Sequence, residues 1–201
     1  RQFALFQEVM GGLERAGIHI PIKHMANTAA AINLPDSQLS LVRCGIAVYG
    51  IYPQRKLELK PALELKAKVS YMHRVPKDSG ISYDIRYITQ EDSNIVTLPL
   101  GYAQGYSRLL SHKGEVLLGG KRYPLVGSIC MGQCMADMGD DLASVGDTPV
   151  FLGKQGSEYI GADELAAKMG SIHYEIICML GGKLPRIYRG QEAVRQGLGP
   201  A

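Results

Sequence analysis

Three glycine-flanked blocks hold the residues of this chain best suited to chemistry. They are Gly80-Ile81-Ser82-Tyr83-Asp84, Leu100-Gly101-Tyr102-Ala103-Gln104-Gly105-Tyr106-Ser107-Arg108 and Val126-Gly127-Ser128-Ile129-Cys130-Met131-Gly132-Gln133. Each lies where an extended run meets a glycine, and glycine lets a backbone turn or approach a ligand closely. The first two blocks put phenols at such corners, and the third puts backbone amides there. A tyrosine at a strand end can take or give a proton once a cofactor has made the reaction easy. Packing is the other use for these rings: the chain has eleven tyrosines and no tryptophan, and a buried phenol ordinarily finds a local hydrogen bond. Tyr83 and Tyr102 stand apart by their glycines, and Tyr174 by its place beside His173 at a helix start. Met131 on its own reads as core, but its N–H at a strand bend could bind a carboxylate.

Arg43 is the other residue that needs a reason. In Val42-Arg43-Cys44-Gly45-Ile46 a cation sits inside an apolar strand, where it must find a partner. A carboxylate near the strand end is one such partner. A ligand is the other, if the strand belongs to a parallel barrel and Arg43 lies at its C-terminal end. There the arginine would hold an electron-withdrawing ring in a chosen protonation state. Gly45 would then offer an unobstructed N–H to an anion such as phosphate.

Elements must position these groups. Phe6, Val9, Met10 and Leu13 have core-facing helical spacing within residues 2–16, and Gly17 ends that run. An apolar strand is expected at 18–24, then a brief helix opened by Asn27-Thr28-Ala29-Ala30, a loop at Pro35 and Asp36, and a strand at 41–49. Helix, strand, helix, strand is α/β order, and two strands alone make no such domain. The opening reads as the last part of one. After Pro53 the pattern alternates, with Leu63, Leu65, Ala67, Val69 and Tyr71 in a long run over 57–74. Further strands are expected at 82–88, 95–100, 115–118, 121–126, 130–138 and 148–153, separated by glycine- and aspartate-rich turns. Helices near 162–169 and 172–180 and a last strand at 185–189 complete the pattern, so the class is α+β with a mostly β second part.

Composition narrows the function classes. Apolar residues make up 46% and charged residues 20% of 201, an ordinary globular balance. The net charge of +3 is small and the basic residues are scattered, which argues against a nucleic-acid surface. No apolar run reaches the roughly 18 residues a bilayer span needs. Glu8, Glu14 and Arg15 interrupt any secretory core at the start, and a chain opening at Arg1 inside a helical pattern reads as cut from something longer. Cys130 and Cys134 on one strand would lie about 13 Å apart, too far for a disulfide unless a bend intervenes. Neither a Cys-x-x-Cys pair nor a histidine cluster points to a metal, so no metal site is expected. Buried free thiols in a reducing cytoplasm are the expectation for Cys44, Cys130, Cys134 and Cys178.

The ordered segments carry more than any single residue. They are His24-Met25-Ala26-Asn27-Thr28-Ala29-Ala30, Val42 to Gly50, Ile81-Ser82-Tyr83, Leu100-Gly101-Tyr102-Ala103 and Ile129-Cys130-Met131. Gly153-Lys154-Gln155-Gly156, His173-Tyr174-Glu175 and Leu184-Pro185-Arg186-Ile187-Tyr188 follow. In this order, over nearly the whole chain, they resemble the alanine racemase family of pyridoxal-phosphate enzymes. The resemblance implies that residues 1–55 are the last strands and helices of a (β/α)8 barrel and 56–201 the family's C-terminal β-rich domain. It implies that Arg43 bonds the pyridine nitrogen of pyridoxal 5′-phosphate and keeps it unprotonated. His24 joins the cofactor-binding set, while Thr28, the backbone of Gly45 and Ile46, and Tyr174 hold the phosphate. Tyr83 is one of two bases and takes the α-proton of L-alanine; Tyr102 and the Met131 amide place the substrate. Arg108 and Ile172 line the entrance. The implied setting is a cytoplasmic homodimer whose active site is shared between subunits and which supplies D-alanine for peptidoglycan.

The family's second base, the cofactor lysine of a Lys-Ala-Asn-Ala-Tyr-Gly segment, has no counterpart in this sequence. Lys23 is no convincing substitute, and the chain alone is expected to be inactive. Gln104 and Gly132 stand where the family usually has Asp, and Ser128 where it often has Arg. Two other readings stay open: a racemase of serine or another amino acid, and a non-catalytic remnant or interaction module.

Overall fold

The computed structural model describes residues 1–52, 57–182 and 184–189, so the domain boundary expected at residue 55 lies outside the described residues. The chain divides into two compact units, Arg1–Glu64 and Leu65–Ala201. Its class is mixed α and β.

In the first unit, helix α1 (Gln2–Arg15) is closed by Gly17, whose φ of 79° suits glycine. No residue of α1 is buried and Val9 is exposed, so the apolar stripe read from the sequence covers no core within this unit. Strand β1 is His24–Asn27 rather than 18–24, and β2 is Leu41–Arg43. The expected strand at 41–49 ends early because residues Ile46–Tyr49 curl into a single 3-10 turn closed by Gly50. The two strands pair in parallel, with His24 opposite Leu41 and Asn27 opposite Arg43. Helix α2 (Thr28–Asn33) connects them, and the Asn27 side chain caps it by accepting from the Ala30 N–H at 3.0 Å.

The second unit is built on an eight-stranded antiparallel sheet. Its members are β3 (Leu65–Lys66), β4 (Tyr71–Val75), β7 (Ser93–Leu98), β8 (Glu115–Leu118), β9 (Lys121–Val126), β10 (Cys134–Asp137), β11 (Val150–Gln155) and β12 (Glu158–Ile160). The order is β12-β11-β8-β9-β10-β7-β4, with β3 also on β11. β5 (Gly80–Ile81) and β6 (Tyr87–Ile88) form a separate hairpin. The long run expected at 57–74 is thus broken in two, and in that expected at 82–88 only Tyr87–Ile88 is strand, the turn Tyr83–Ile85 taking the rest. The expected strand at 130–138 begins only at Cys134, and 185–189 is not a strand.

The core lies under the sheet. Phe151 and Tyr106 meet edge to face at 5.0 Å, and burying a ring of this size contributes about 1.5–3 kcal/mol. Ile81 of the hairpin joins Val75, Ile95, Val126 and Met135, with Tyr87 packed beside them. The Tyr87 hydroxyl donates to Asp137 at 2.7 Å, and Tyr87 lies opposite Ile81, so this one cross-strand pair seats the hairpin from both of its strands. Helix α3 (Ala162–Met169) has Asp163 and Glu164 in its first turn, Lys168 in its last and Gly170 in the left-handed region after it. Helix α4 (His173–Met179) follows. Among the described residues, no helix is long and apolar enough to cross a membrane.

Candidate active site

On the first unit, β1 and β2 bring His24 and Arg43 side by side. Arg43 Nη1 lies 2.7 Å from His24 Nδ1. A guanidinium can only donate, so Nδ1 accepts and the imidazole carries its proton on Nε2. Among the described residues, the partner of Arg43 is therefore a histidine on the adjacent strand, which engages one donor of five. Thr28 is buried, and its Oγ1 accepts from the Gly45 N–H at 3.0 Å while keeping a proton to give. A β-carbon on Gly45 would have nothing within 4 Å, and Ile46 opens the next turn. A cleft of about 460 Å³ opens here, with Met25, Asn27 and Arg43 among its walls. The Arg43 guanidinium and the Thr28 hydroxyl are donors, while the Gly45 N–H, expected to be free, is spent on Thr28 Oγ1. That set fits a cofactor carrying an anionic phosphate and a ring nitrogen that accepts a hydrogen bond.

On the second unit, four consecutive residues gather the candidates. The Ser128 N–H donates to Ser82 Oγ at 3.2 Å, and Ser82 Oγ donates to the Ser128 carbonyl at 3.0 Å. The Ile129 N–H donates to Ser111 Oγ at 2.9 Å, and that hydroxyl donates to the Arg108 carbonyl at 2.7 Å. The Cys130 carbonyl accepts from the Tyr102 N–H at 3.2 Å, and the Met131 carbonyl from the Ala103 N–H at 2.8 Å. The segment 128–131 therefore holds the turns that carry Tyr83, Arg108 and Tyr102, with Met131 at its end. Tyr83, Tyr102, Met131 and Arg108 are all exposed.

Tyr83 begins a tight turn, Tyr83–Ile85, between β5 and β6. Ser82, Asp84 and Ile85 all have positive φ, at 69°, 62° and 47°. Aspartate tolerates this region, but a β-branched residue there is strained. Ile85, though exposed, lies over Gly80, where a β-carbon would stand 2.5 Å from Ile85 Cγ2. Tyr174 and Ile172 sit at the start of α4, both exposed, and Tyr174 stacks on buried His173 with ring centroids 4.6 Å apart.

The sequence departures fall close together. Gln104 Oε1 accepts from the Gly101 N–H at 3.0 Å, closing its own turn. Its Nε2 stands 4.0 Å from where a β-carbon on Gly132 would be. Ser128 is buried, and its own Oγ has no hydrogen-bond partner among the described residues; it works through its backbone. Ser82, Ser111 and Ile129 were not among the residues singled out from sequence. Small hydroxyl residues beside glycine-flanked phenols were the only available hint.

The thiols differ from expectation. Cys134 is buried and Cys130 half-buried, but Cys44 and Cys178 are exposed. Burial first, and then the neighbouring Cys130, push the Cys134 thiol well up. Among the described residues, no three of His, Cys, Asp or Glu are grouped as a metal site would require.

Residues 1–53 match the family model "Alanine racemase, N-terminal domain" and 62–188 match "Alanine racemase, C-terminal domain". The alanine racemase of Desulfovibrio desulfuricans is 43% identical over 192 residues, covering 93% of this chain and 51% of that protein. The crystal structure of the enzyme from D-cycloserine-producing Streptomyces lavendulae superposes with a TM-score of 0.86 at 36% identity, over 94% of this chain and 51% of that one. That of the Bacillus anthracis alanine racemase with bound L-Ala-P gives 0.82 at 37%, over 89% and 47%. A parallel strand pair bearing a cation and a β unit bearing phenols are thus parts of one enzyme class. The chain belongs to the alanine racemase family. It spans about half the length of the curated relatives it matches.

Proposed function

We propose that this chain supplies the ring-nitrogen and tyrosine side of a cytoplasmic, pyridoxal-phosphate-dependent racemase that interconverts L- and D-alanine and serves peptidoglycan precursor supply. One observation carries the reading: Ser128, Ile129 and Cys130 hold three turns in a row, and on them sit a base, a substrate-placing phenol and an entrance cation. Residues 1–55 are proposed as the closing part of the barrel and 56–201 as the β domain.

The cofactor, when bound, supplies an electron-withdrawing ring that makes the α-proton of a bound amino acid acidic. Arg43 donates a hydrogen bond to the ring nitrogen but gives up no proton, because a guanidinium stays charged. His24 fixes the plane of that guanidinium from the neighbouring strand. Thr28 and the amides of Gly45 and Ile46 would hold the phosphate, the Gly45 N–H turning from Thr28 Oγ1 to a phosphate oxygen when it binds. The hydroxyl that the resemblance assigns to the same phosphate is that of Tyr174.

Tyr83 O takes the α-proton from one face of L-alanine and returns one in the reverse direction. Tyr102 and the Met131 N–H orient the substrate carboxylate. Arg108 and Ile172 guard the entrance. The lysine that serves the opposite face is proposed to lie outside these 201 residues, with the site shared between two subunits. Lys23 is not proposed as that group; its ammonium is paired with Glu14.

The test is turnover by the whole protein loaded with cofactor, followed by polarimetry on L- and D-alanine and on serine. Faster inversion of alanine supports the reading. Faster inversion of serine transfers the site to that substrate, and no inversion of either with cofactor bound makes the chain a non-catalytic module.

A further inference from the structure

Ser82 has a backbone conformation that its side chain does nothing to favour. Its φ is 69° and its ψ −179°, a region that only glycine enters freely. The residue that holds it there is 46 positions away. Ser82 Oγ accepts from the Ser128 N–H at 3.2 Å and donates to the Ser128 carbonyl at 3.0 Å, so one hydroxyl satisfies both polar groups of a single residue. Gly127 completes the fit. It has φ +70°, and a β-carbon there would stand 2.5 Å from Ser82 Cβ and 3.0 Å from the Ile81 carbonyl. Cys130 Sγ approaches the same hydroxyl at 3.7 Å.

The next residue along the chain is Tyr83. Its ring is 73% exposed, so its own packing fixes little of its direction. The direction of Tyr83 is set by the peptide that leaves Ser82. If Ser82 relaxes to an ordinary extended conformation, φ changes sign and the Tyr83 Cα–Cβ bond swings to another heading.

We propose that Ser82 is a positioning residue for Tyr83: its hydroxyl, clamped to both backbone groups of Ser128, locks the reversed φ that aims the phenol. The inference rests on the reading of Tyr83 as a base. A misplacement of about 1 Å at a reacting group slows a reaction by about a hundredfold. Loss of the clamp is therefore expected to slow the Tyr83-dependent step by about ten- to a hundredfold. Steps that do not use Tyr83 keep their rates.

Two readouts separate this role from a merely structural one. In the 201-residue chain, Ser82→Ala and Ser82→Gly are compared with the parent by amide hydrogen exchange and backbone NMR relaxation. Both variants should strip protection from the Ser128 N–H and mobilise Tyr83, while the Ala103 N–H, bonded to Met131, keeps its protection. The alanine variant keeps the strained backbone and loses the hydroxyl, so native order in Ser82→Ala would show that the hydroxyl holds nothing and overturn the proposal; the glycine variant, free of strain, isolates the loss of the two bonds to Ser128.

In the whole protein, solvent exchange of the α-hydrogen of L-alanine should fall about ten- to a hundredfold in Ser82→Ala. Adding Ser82→Ala to Tyr83→Phe should cost nothing further. An equal added loss in the Tyr83→Phe background overturns the proposal. If Tyr83→Phe itself leaves exchange untouched, the reading of Tyr83 as base falls. The NMR arm then still decides whether Ser82 holds the turn.

Discussion

The carbonyl oxygen of Cys130 lies 2.1 Å from the place a β-carbon on Gly101 would take, and the Met131 carbonyl lies 2.6 Å from it. Gly101 has φ −149°, which any residue adopts, so the requirement for glycine is purely one of space. Backbone atoms occupy that space, and they cannot rotate aside. Gly101→Ala should therefore destabilise the second unit by about 1–3 kcal/mol. It should also break the Tyr102–Cys130 and Ala103–Met131 hydrogen bonds, raising KM for alanine more than it lowers kcat. Urea unfolding and steady-state kinetics check the two parts.

The charged cluster around Arg122 sets the acid limit of the fold. Arg122 reaches Glu158 at 2.7 Å, Glu164 at 2.9 Å and Glu115 at 3.2 Å, and Lys168 reaches Glu115 at 2.5 Å. Burial pushes the Glu164 carboxyl up, but hydrogen bonds from Arg122 and Lys168 outweigh it and leave it below the usual range. A folded pKa below the unfolded one stabilises above the unfolded value of about 4.3 and is lost as pH falls through the folded value. Lys168 has the opposite sign: burial lowers it, its bonds to Glu115 and Glu164 raise it further, and its contribution disappears at high pH. Stability should thus hold across neutral pH and fall below about pH 4. Arg122→Ala should cost about 1–3 kcal/mol at pH 7 and much less at pH 3. Chemical denaturation at the two pH values measures the difference.

Arg43 and His24 make a second pair worth separating by mutation. Arg43→Lys keeps the charge but loses the planar fork that meets His24 and is proposed to meet a ring nitrogen. It should lower kcat by about a hundredfold or more, as loss of a preorganised donor does. His24→Ala should act more weakly, because it frees the guanidinium without removing it. The reverse ranking would show that His24 touches the cofactor itself.

How much of this was legible in the residues depends on the range of the interaction. Asn27 and Gly17 marked helix ends correctly because caps are local. The strands Glu115–Leu118 and Lys121–Val126 matched because Gly119-Gly120 fixes their turn. The run at 82–88 hid a hairpin, since its reversed φ at Ser82 is held by Ser128, far along the chain. Arg43 looked in need of a carboxylate, yet the parallel pairing of β1 and β2 gave it a histidine. The phenols could be picked out by their glycines. The block 126–133 could be picked out too, but not its role in holding their turns, because Ser128, Ile129 and Cys130 act through backbone N–H and C=O groups that every residue has.

The proposal that the cofactor lysine lies elsewhere gives a prediction for the 201-residue chain alone. Incubated with pyridoxal phosphate and reduced with borohydride, it should carry no adduct at Lys23, whose ammonium is held by Glu14. Peptide mass mapping reads the outcome. A stable adduct on Lys23 would mean that this lysine serves as the cofactor anchor.

The most direct test of the account is α-hydrogen exchange in deuterated water by the Tyr83→Phe form of the whole protein. The two alanine enantiomers are equal in free energy, so kcat/KM stays equal in both directions whatever is mutated. Exchange has no such constraint. If Tyr83 serves the L face, D-alanine should still exchange its α-hydrogen without inverting, while L-alanine neither exchanges nor inverts at more than a trace of the parent rate. Exchange and inversion of both enantiomers at the parent rate would contradict the account.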